Sequence, residues 1–256
     1  AKQLTNQDSK PQVLLMMSSH ASKPKGDLLQ LLAKDQAFEL VNFSTKGKSE
    51  EDMKVAWSKA DLIMLDGINP ALSKYMFAKY QDYPKQFPSV PVISLGDLHN
   101  TNLNVGLAKK QAENIASYYN NAGRDNYRNM MLYIANDFLN VSRVAAKDPI
   151  IVPRVGLYHY GFPGLVTADE EAFFSYLAIG PNQPVIAIGI HRSVVDYEQQ
   201  QIVDALIKGL EAKGAKALAY FFEGEDQPMD FTDLLSFENE QGTRSKSRVD
   251  LLINYR

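Results

Sequence analysis

Short apolar runs alternate with segments of helical spacing along the first half of the chain. The apolar runs predict strands at residues 13–18, 38–43, 61–66 and 90–95. Apolar residues that recur every three or four positions predict helices at 27–33, 50–59, 72–83, 109–120 and 125–141. Most of the strand runs are apolar at consecutive positions, so both faces of each strand are expected to be covered by helices. The first half is therefore predicted to be a doubly wound, flavodoxin-like α/β unit.

A second α/β pattern follows a stretch at 147–153 that carries two prolines. Its predicted strands lie at 155–159, 184–190, 217–222 and 249–255, and its predicted helices at 173–178 and 198–213. The longer helix is amphipathic, ends at Gly214, and is expected to bury one apolar face. That face consists of Ile202, Leu206, Ile207 and Leu210. The whole chain is thus predicted to form two doubly wound, mainly parallel α/β units.

The domain boundary is placed at this proline-containing stretch, which gives domains at residues 1–147 and 148–256. A predicted strand runs to residue 255, so the second domain is expected to be incomplete at its C-terminus. The first residue is Ala1 rather than Met, which fits either a removed signal peptide or a trimmed chain. We expect a piece of a longer, soluble protein of the cytoplasm, with export to the periplasm as the alternative.

The amino-acid composition argues against several classes of function. The chain has 256 residues, of which 45% are hydrophobic and 22% charged, as in an ordinary globular protein. Its net charge of -3 and its dispersed Lys and Arg residues argue against a nucleic-acid partner. It has no Cys, which excludes disulfides, thiolate metal sites and a cysteine nucleophile. No apolar run approaches the length of a membrane span, so none is predicted.

A possible phosphate-binding motif, Gly47-Lys48-Ser49, lies between a predicted strand and a predicted helix. A P-loop also needs glycine five residues before its Gly-Lys pair, and that position is Asn42. We also find no dinucleotide-binding glycine pattern after any predicted strand and no catalytic-triad motif. Nucleotide binding by this chain is therefore not expected, and neither catalytic residues nor a metal site are assigned.

All four histidines, namely His20, His99, His159 and His191, follow predicted strands. In open α/β sheets, ligands bind beyond the carboxyl ends of the strands. His191 and Arg192 close a buried strand and precede a helix, so both are candidates to face a cleft. The alternative is that each histidine is solvated or hydrogen-bonded to the local backbone.

An aromatic-rich segment at 158–164 begins with Tyr158 and His159. Aromatic side chains with a few polar groups suit a large planar ligand, so Tyr158 and His159 join the candidate binding residues. The alternative is a strand end followed by a glycine turn, with the aromatic side chains buried as packing.

Three stretches carry a more specific pattern. Residues 118–135 read Tyr-Tyr-Asn-Asn-Ala-Gly-Arg-Asp-Asn-Tyr-Arg-Asn-Met-Met-Leu-Tyr-Ile-Ala, and residues 153–159 read Pro-Arg-Val-Gly-Leu-Tyr-His. Residues 184–193 read Pro-Val-Ile-Ala-Ile-Gly-Ile-His-Arg-Ser, and the pattern continues through the following helix and strand. Together they resemble the CobN/magnesium-chelatase large-subunit family over residues 110–256. One departure is Tyr160, where that family often has proline after Tyr-His.

The resemblance implies an ATP-dependent metal chelatase. In that family the large subunit binds a tetrapyrrole, either a corrinoid or a porphyrin, and separate AAA-type subunits hydrolyse ATP to drive insertion of cobalt or magnesium. Separate ATPase partners would account for the missing P-loop. Tyr158, His159, His191 and Arg192 are then the candidate tetrapyrrole contacts, with Arg192 suited to pair a propionate.

Two alternatives stay open. The first alternative is that the chain belongs to a haem- or corrinoid-binding protein related to dechelatases, with iron as the metal. The second alternative is a non-catalytic α/β binding module. Under the chelatase hypothesis this fragment is expected to be inactive alone, because the deep porphyrin cavity of the family is built largely by other regions.

Overall fold

The computed structural model describes residues 10–17, 23–44, 48–67, 78–96, 103–222, 235–238, 242 and 244–255. His20, His99, Gly47 and the first half of the helix predicted at 72–83 lie outside the described residues. The chain divides into two compact units, Ala1–Ile151 and Val152–Arg256. The assignment of independent domains at 1–147 and 148–256 stays a prediction.

The first unit contains a parallel sheet of β1 (Gln12–Met17), β2 (Glu39–Ser44), β3 (Leu62–Gly67) and β4 (Val92–Gly96), in the order β2-β1-β3-β4. Its helices are α1 (Lys23–Ala33), α2 (Glu50–Lys59), α3 (Tyr83–Gln86), α4 (Lys109–Asn121) and α5 (Gly123–Tyr133). A π-helical turn at Ile134–Phe138 continues α5. The predicted α/β class is confirmed here.

Helices cover both faces of this sheet. Leu14 and Met16 of β1 share a core with Met53 and Trp57 of α2. Successive side chains of a strand point to opposite faces, so the neighbouring Met17 faces away from α2 and lies beside Gly26 of α1. Because helices cover both faces, β1 and β3 are buried along nearly their whole length.

The first residues of α1 and α2 show how these two helices begin. Helix α1 begins at Lys23, four residues before the predicted start at Asp27, and includes Pro24. Proline is tolerated in a first turn because its missing N–H would have no partner there. Helix α2 begins where predicted, with Ser49 as its N-cap in a capping box with Asp52. Ser49 therefore caps the amino-terminal end of α2.

The second unit has a five-stranded sheet in the order β11-β7-β8-β5-β6. Its strands are β5 (Gly156–Tyr158), β6 (Val166–Thr167), β7 (Val185–His191), β8 (Lys216–Phe222) and β11 (Leu251–Tyr255). A hairpin of β9 (Ser236–Glu238) and β10 (Arg244–Ser247) forms a separate small sheet. The helices are α6 (Glu170–Leu177), α7 (Arg192–Asp196) and α8 (Gln201–Glu211). Strands β11, β7 and β8 are parallel, whereas β5 and β6 are antiparallel to their neighbours.

Helices α6 and α8 cover opposite faces of this sheet. Phe173 of α6 packs with Ala187 and Leu218, and Ile207 of α8 packs with Ile188. The prediction that Ile202 belongs to the buried face of α8 is wrong, since Ile202 is 60% exposed. The buried stripe is centred on Val203 and Ile207, which are one turn apart, and this places Ile202 on the solvent side.

Strand β11 is the edge strand of this sheet in the described part of the chain. It pairs with β7 along one side, from Leu251 opposite Ile186 to Tyr255 opposite Ile190. Leu251 and Leu252 point to opposite faces, yet each exposes about half of its surface (54% and 48%). Both faces of this strand therefore carry exposed apolar surface.

Candidate functional site

The four predicted binding residues form two separate pairs. His191 ends β7 opposite Phe222, at the carboxyl edge of β7 and β8. Tyr158 lies opposite Ala219, and β5 runs antiparallel to β8. The chain therefore leaves Tyr158 towards the amino-terminal ends of β7 and β8. His191 thus lies at the carboxyl edge of β7 and β8, whereas the chain at His159 lies towards their amino-terminal ends.

His191 and Arg192 occupy the carboxyl edge of β7. His191 is exposed and is the N-cap of α7, with its Nδ1 accepting a hydrogen bond from the Ser193 N–H at 3.1 Å. Arg192 is 3% exposed, and its Nε lies 3.2 Å from Asp196 Oδ2. The Arg192 guanidinium thus already has a carboxylate partner, and a ring propionate would compete with Asp196 for it.

His159 is a buried imidazole with both ring nitrogens engaged. The Gly161 N–H donates to Nδ1 at 3.0 Å, so Nδ1 carries a lone pair and the proton is assigned to Nε2. Nε2 then donates to Glu211 Oε1 at 3.1 Å, and the Tyr176 hydroxyl donates to Nδ1 at 2.9 Å. In this arrangement neither nitrogen is open to a metal.

Tyr158 is buried in the α8 face of the sheet. Its hydroxyl donates to Asp204 Oδ1 at 2.5 Å. Burial raises the pKa of Tyr158, and the neighbouring Asp204 carboxylate raises that pKa further. Tyr160 stacks on His159 and donates to Glu211 Oε2 at 3.2 Å. These contacts favour a structural role for the aromatic segment, while its predicted role in ligand binding stays a prediction.

Replacing Tyr158 with Phe is expected to reduce the loss of stability at alkaline pH. The pKa of Tyr158 in the folded chain is raised above its ordinary value of 10.0, so the folded state keeps a proton that the unfolded chain loses. The stabilisation is complete below about pH 10 and falls as the pH rises further, by about 1.4 kcal/mol per pH unit for this one group. Urea unfolding at about pH 8 and about pH 11 measures this difference.

The matched control for this comparison is Tyr255→Phe on the exposed strand β11. It is expected to keep the alkaline dependence of the unaltered chain. Equal alkaline slopes for Tyr158→Phe and the unaltered chain would contradict the raised pKa that burial and the Asp204 carboxylate give to Tyr158.

A second buried polar cluster lies in the first unit and was not predicted from the sequence. The Asp66 carboxylate, at the end of β3, accepts hydrogen bonds on Oδ2 from Lys25 Nζ at 2.9 Å and the Tyr119 hydroxyl at 2.8 Å. The Lys25 ammonium also lies 4.2 Å from the centre of the Tyr119 ring. One signal was available, because Asp66 is the one charged residue in the apolar run Leu62–Gly67.

Two absences hold within the described ranges. No helix there is long and apolar enough to cross a membrane. No group of three or more His, Asp or Glu side chains there is arranged to hold a metal ion.

Comparison with known proteins decides the family. The sequence model of the CobN/magnesium chelatase family matches residues 116–256, which is more than half of the chain. This chain belongs to the CobN/magnesium chelatase family. The match includes the end of α4 and all of α5 in the first unit, and all of the second unit.

Individual relatives of this CobN/magnesium chelatase chain are much longer. It is 32% identical over 114 residues to a magnesium-chelatase subunit of Rhodobacter capsulatus, covering 43% of this chain and 9% of that protein. It is 26% identical over 135 residues to an uncharacterised protein of Methanocaldococcus jannaschii, covering 52% of this chain and 11% of that protein.

A solved structure is similar in fold. The catalytic subunit of cobaltochelatase from Mycobacterium tuberculosis aligns with a TM-score of 0.54 and 16% identity. The alignment covers 88% of this chain and 17% of the cobaltochelatase chain. The structural likeness therefore extends over both units of this chain, although the aligned region is a small part of the cobaltochelatase subunit.

The structure explains the motif at 118–135 in this family member. Asn126 is buried, and its side-chain amide bonds both to the N–H and to the C=O of Ile150 at 2.8 Å. Asn129 accepts from the Lys147 N–H at 2.9 Å, and the Tyr118 hydroxyl donates to the Lys147 carbonyl at 2.6 Å. These residues fasten the extended segment after α5 to the helices of the first unit, so the motif is structural.

Proposed function

We propose that this chain is part of the large subunit of a tetrapyrrole metal chelatase, and that its second unit contacts the tetrapyrrole at the carboxyl edge of β7. The supporting observation is the position of His191, an exposed imidazole at the end of a buried parallel strand inside the family match. Such an edge is where open α/β sheets bind ligands. A corrinoid or a porphyrin is the substrate class.

Metal insertion exchanges the two pyrrole N–H protons of the ring for a divalent metal ion, which is a second substrate. Cobalt and magnesium are the expected metals, with iron in a haem-related reaction. The energy would come from AAA-type ATPase partners, since the sequence lacks a P-loop. A neutral imidazole such as that of His191 can accept a proton or bind a metal ion.

Of the other candidate residues, Arg192 also lies at this edge, whereas Tyr158 and His159 lie towards the amino-terminal ends of β7 and β8. Asp196 pairs with the buried Arg192 guanidinium on the short helix that follows His191. Tyr158 and His159 are fastened to α8 through Asp204 and Glu211. In this proposal they position the sheet, and His191 makes the contact.

The experiment is a titration of the chain with hydrogenobyrinate diamide, protoporphyrin and haem, followed by the tetrapyrrole absorbance band. We expect binding in the micromolar range to one of the three rings, which also identifies the substrate class. The His191→Ala variant is expected to bind at least about tenfold more weakly, equivalent to about 1.4 kcal/mol. Lys213→Ala, an exposed residue just after α8, is the matched control and should bind like the unaltered chain.

Two results would count against this proposal. Unchanged affinity in His191→Ala would remove this residue from the tetrapyrrole site. No binding of any ring would leave a scaffold or a partner-docking surface as the role of the second unit, and a pull-down with chelatase ATPase subunits would then separate these two roles.

A further inference from the structure

The first unit contains a topological switch point that the proposed function does not use. From β1 the chain continues to β2 on one side of the sheet, whereas β3 and β4 lie on the other side. The connections therefore leave the carboxyl ends of β1 and β3 in opposite directions. Doubly wound sheets bind ligands in the crevice that opens at such a point.

The buried polar cluster lies at this switch point. Lys25 belongs to the first turn of α1, which follows β1, and Asp66 is the penultimate residue of β3. Tyr119 reaches the same carboxylate from α4. Three elements thus converge on Asp66, which is 1% exposed.

One oxygen of this carboxylate has no hydrogen-bond donor among the described residues. Lys25 and Tyr119 both bond to Oδ2, whereas Asp66 Oδ1 is buried and meets no donor from the described part of the chain. Gly96 lies next to Oδ1, since a Cβ built on it would be 3.3 Å from that oxygen. A buried carboxylate oxygen without a donor is costly, so a ligand that supplies a donor gains more here than at a solvated carboxylate.

We infer that the carboxyl edge of β1 and β3 is a binding site for a small neutral molecule, which donates a hydrogen bond from a hydroxyl or carboxamide group to Asp66 Oδ1. The Lys25 ammonium already balances the charge of Asp66. A cationic ligand would add a second positive charge to this buried pair, and an anionic ligand would meet the Asp66 carboxylate. A neutral donor supplies a hydrogen bond to Oδ1 and leaves the net charge of the Lys25–Asp66 pair unchanged.

The experiment compares neutral and anionic partners of matched shape. The unaltered chain is titrated separately with nicotinamide, nicotinate, ribose and ribose 5-phosphate, while the backbone N–H resonances of Gly67 and Gly96 are followed by NMR. We expect saturable shifts of both resonances with nicotinamide or with ribose, and at least about tenfold weaker binding of the corresponding anion. Whichever neutral probe binds distinguishes a carboxamide from a hydroxyl ligand.

A variant pair tests the residue. Asp66→Asn is expected to weaken binding of the neutral probe at least about tenfold, because its amide can present an N–H where Oδ1 accepted. Asp61→Asn changes an exposed carboxylate just before the same strand and should leave binding unchanged.

Three outcomes would overturn the inference. The first is that neither neutral probe shifts Gly67 and Gly96 in the millimolar range, and the second is that the neutral and anionic partners bind equally. The third is unchanged binding in Asp66→Asn. If Asp66→Asn does not fold, the comparison of neutral and anionic probes on the unaltered chain decides alone.

Discussion

Replacing Asp66 with Ala is expected to lower the free energy of unfolding of the first unit by about 3–5 kcal/mol. The substitution leaves the Lys25 ammonium inside the protein without its carboxylate, and it removes the acceptor of the Tyr119 hydroxyl. Breaking a buried ion pair from one side is costly because the remaining charge has lost its water as well as its partner. Urea unfolding measured by tryptophan fluorescence gives the loss.

Trp57 makes this measurement specific to the first unit. It is the one tryptophan of the sequence, it is fully buried, and its ring packs edge-on against Tyr83 at 4.9 Å. Its emission therefore changes when the core around α2 opens. Asp35→Ala, an exposed carboxylate after α1, is the control and is expected to change stability by less than about 0.5 kcal/mol. A loss below about 1 kcal/mol in Asp66→Ala would contradict the buried-pair account.

Replacing Phe173 with Ala is expected to destabilise the second unit by about 3–5 kcal/mol. Phe173 is fully buried, shares a core with Leu157 and Leu177, and packs against Phe162 with ring centres 5.4 Å apart. Truncation removes the buried ring and leaves a cavity under the sheet. Hydrogen exchange of the β7 and β8 amides measures the loss, because the second unit contains no tryptophan.

The control for Phe173→Ala is Ile202→Ala on the exposed side of α8, which should cost less than about 0.5 kcal/mol. The Trp57 signal of the Phe173→Ala variant also tests the predicted domain division. An unchanged Trp57 transition would support domains that unfold separately. A transition that shifts together with β7 and β8 would show the two-domain prediction to be wrong.

Buried strands could be located from the sequence because their apolar runs are of strand length and are bounded by polar residues. The runs predicted at 13–18 and 61–66 correspond to Gln12–Met17 and Leu62–Gly67. Strand direction could not be predicted in the same way. The three residues of β5 have the same apolar character whether the strand runs parallel or antiparallel, and only its pairing with β8 determines where His159 lies.

The candidate sites were less predictable because their partners are distant in sequence. Asp66 meets Lys25 across 41 positions and Tyr119 across 53, and no spacing rule links such residues. The partner of Arg192 could be predicted from the sequence, since Asp196 follows four residues later on the same face of the helix. A charged pair at that spacing already indicates that the guanidinium has a local partner.

The edge strand β11 also governs how the chain behaves in concentrated solution. One side of its backbone lies at the border of the described sheet, and Leu251 and Leu252 surround that border with apolar surface. Such an edge is a template on which another molecule can add a strand. A net charge of -3 on a 28.7 kDa chain gives little mutual repulsion, and this repulsion vanishes near the isoelectric point of 5.9. At pH values near this point, β11 is therefore a surface at which the isolated chain is expected to self-associate.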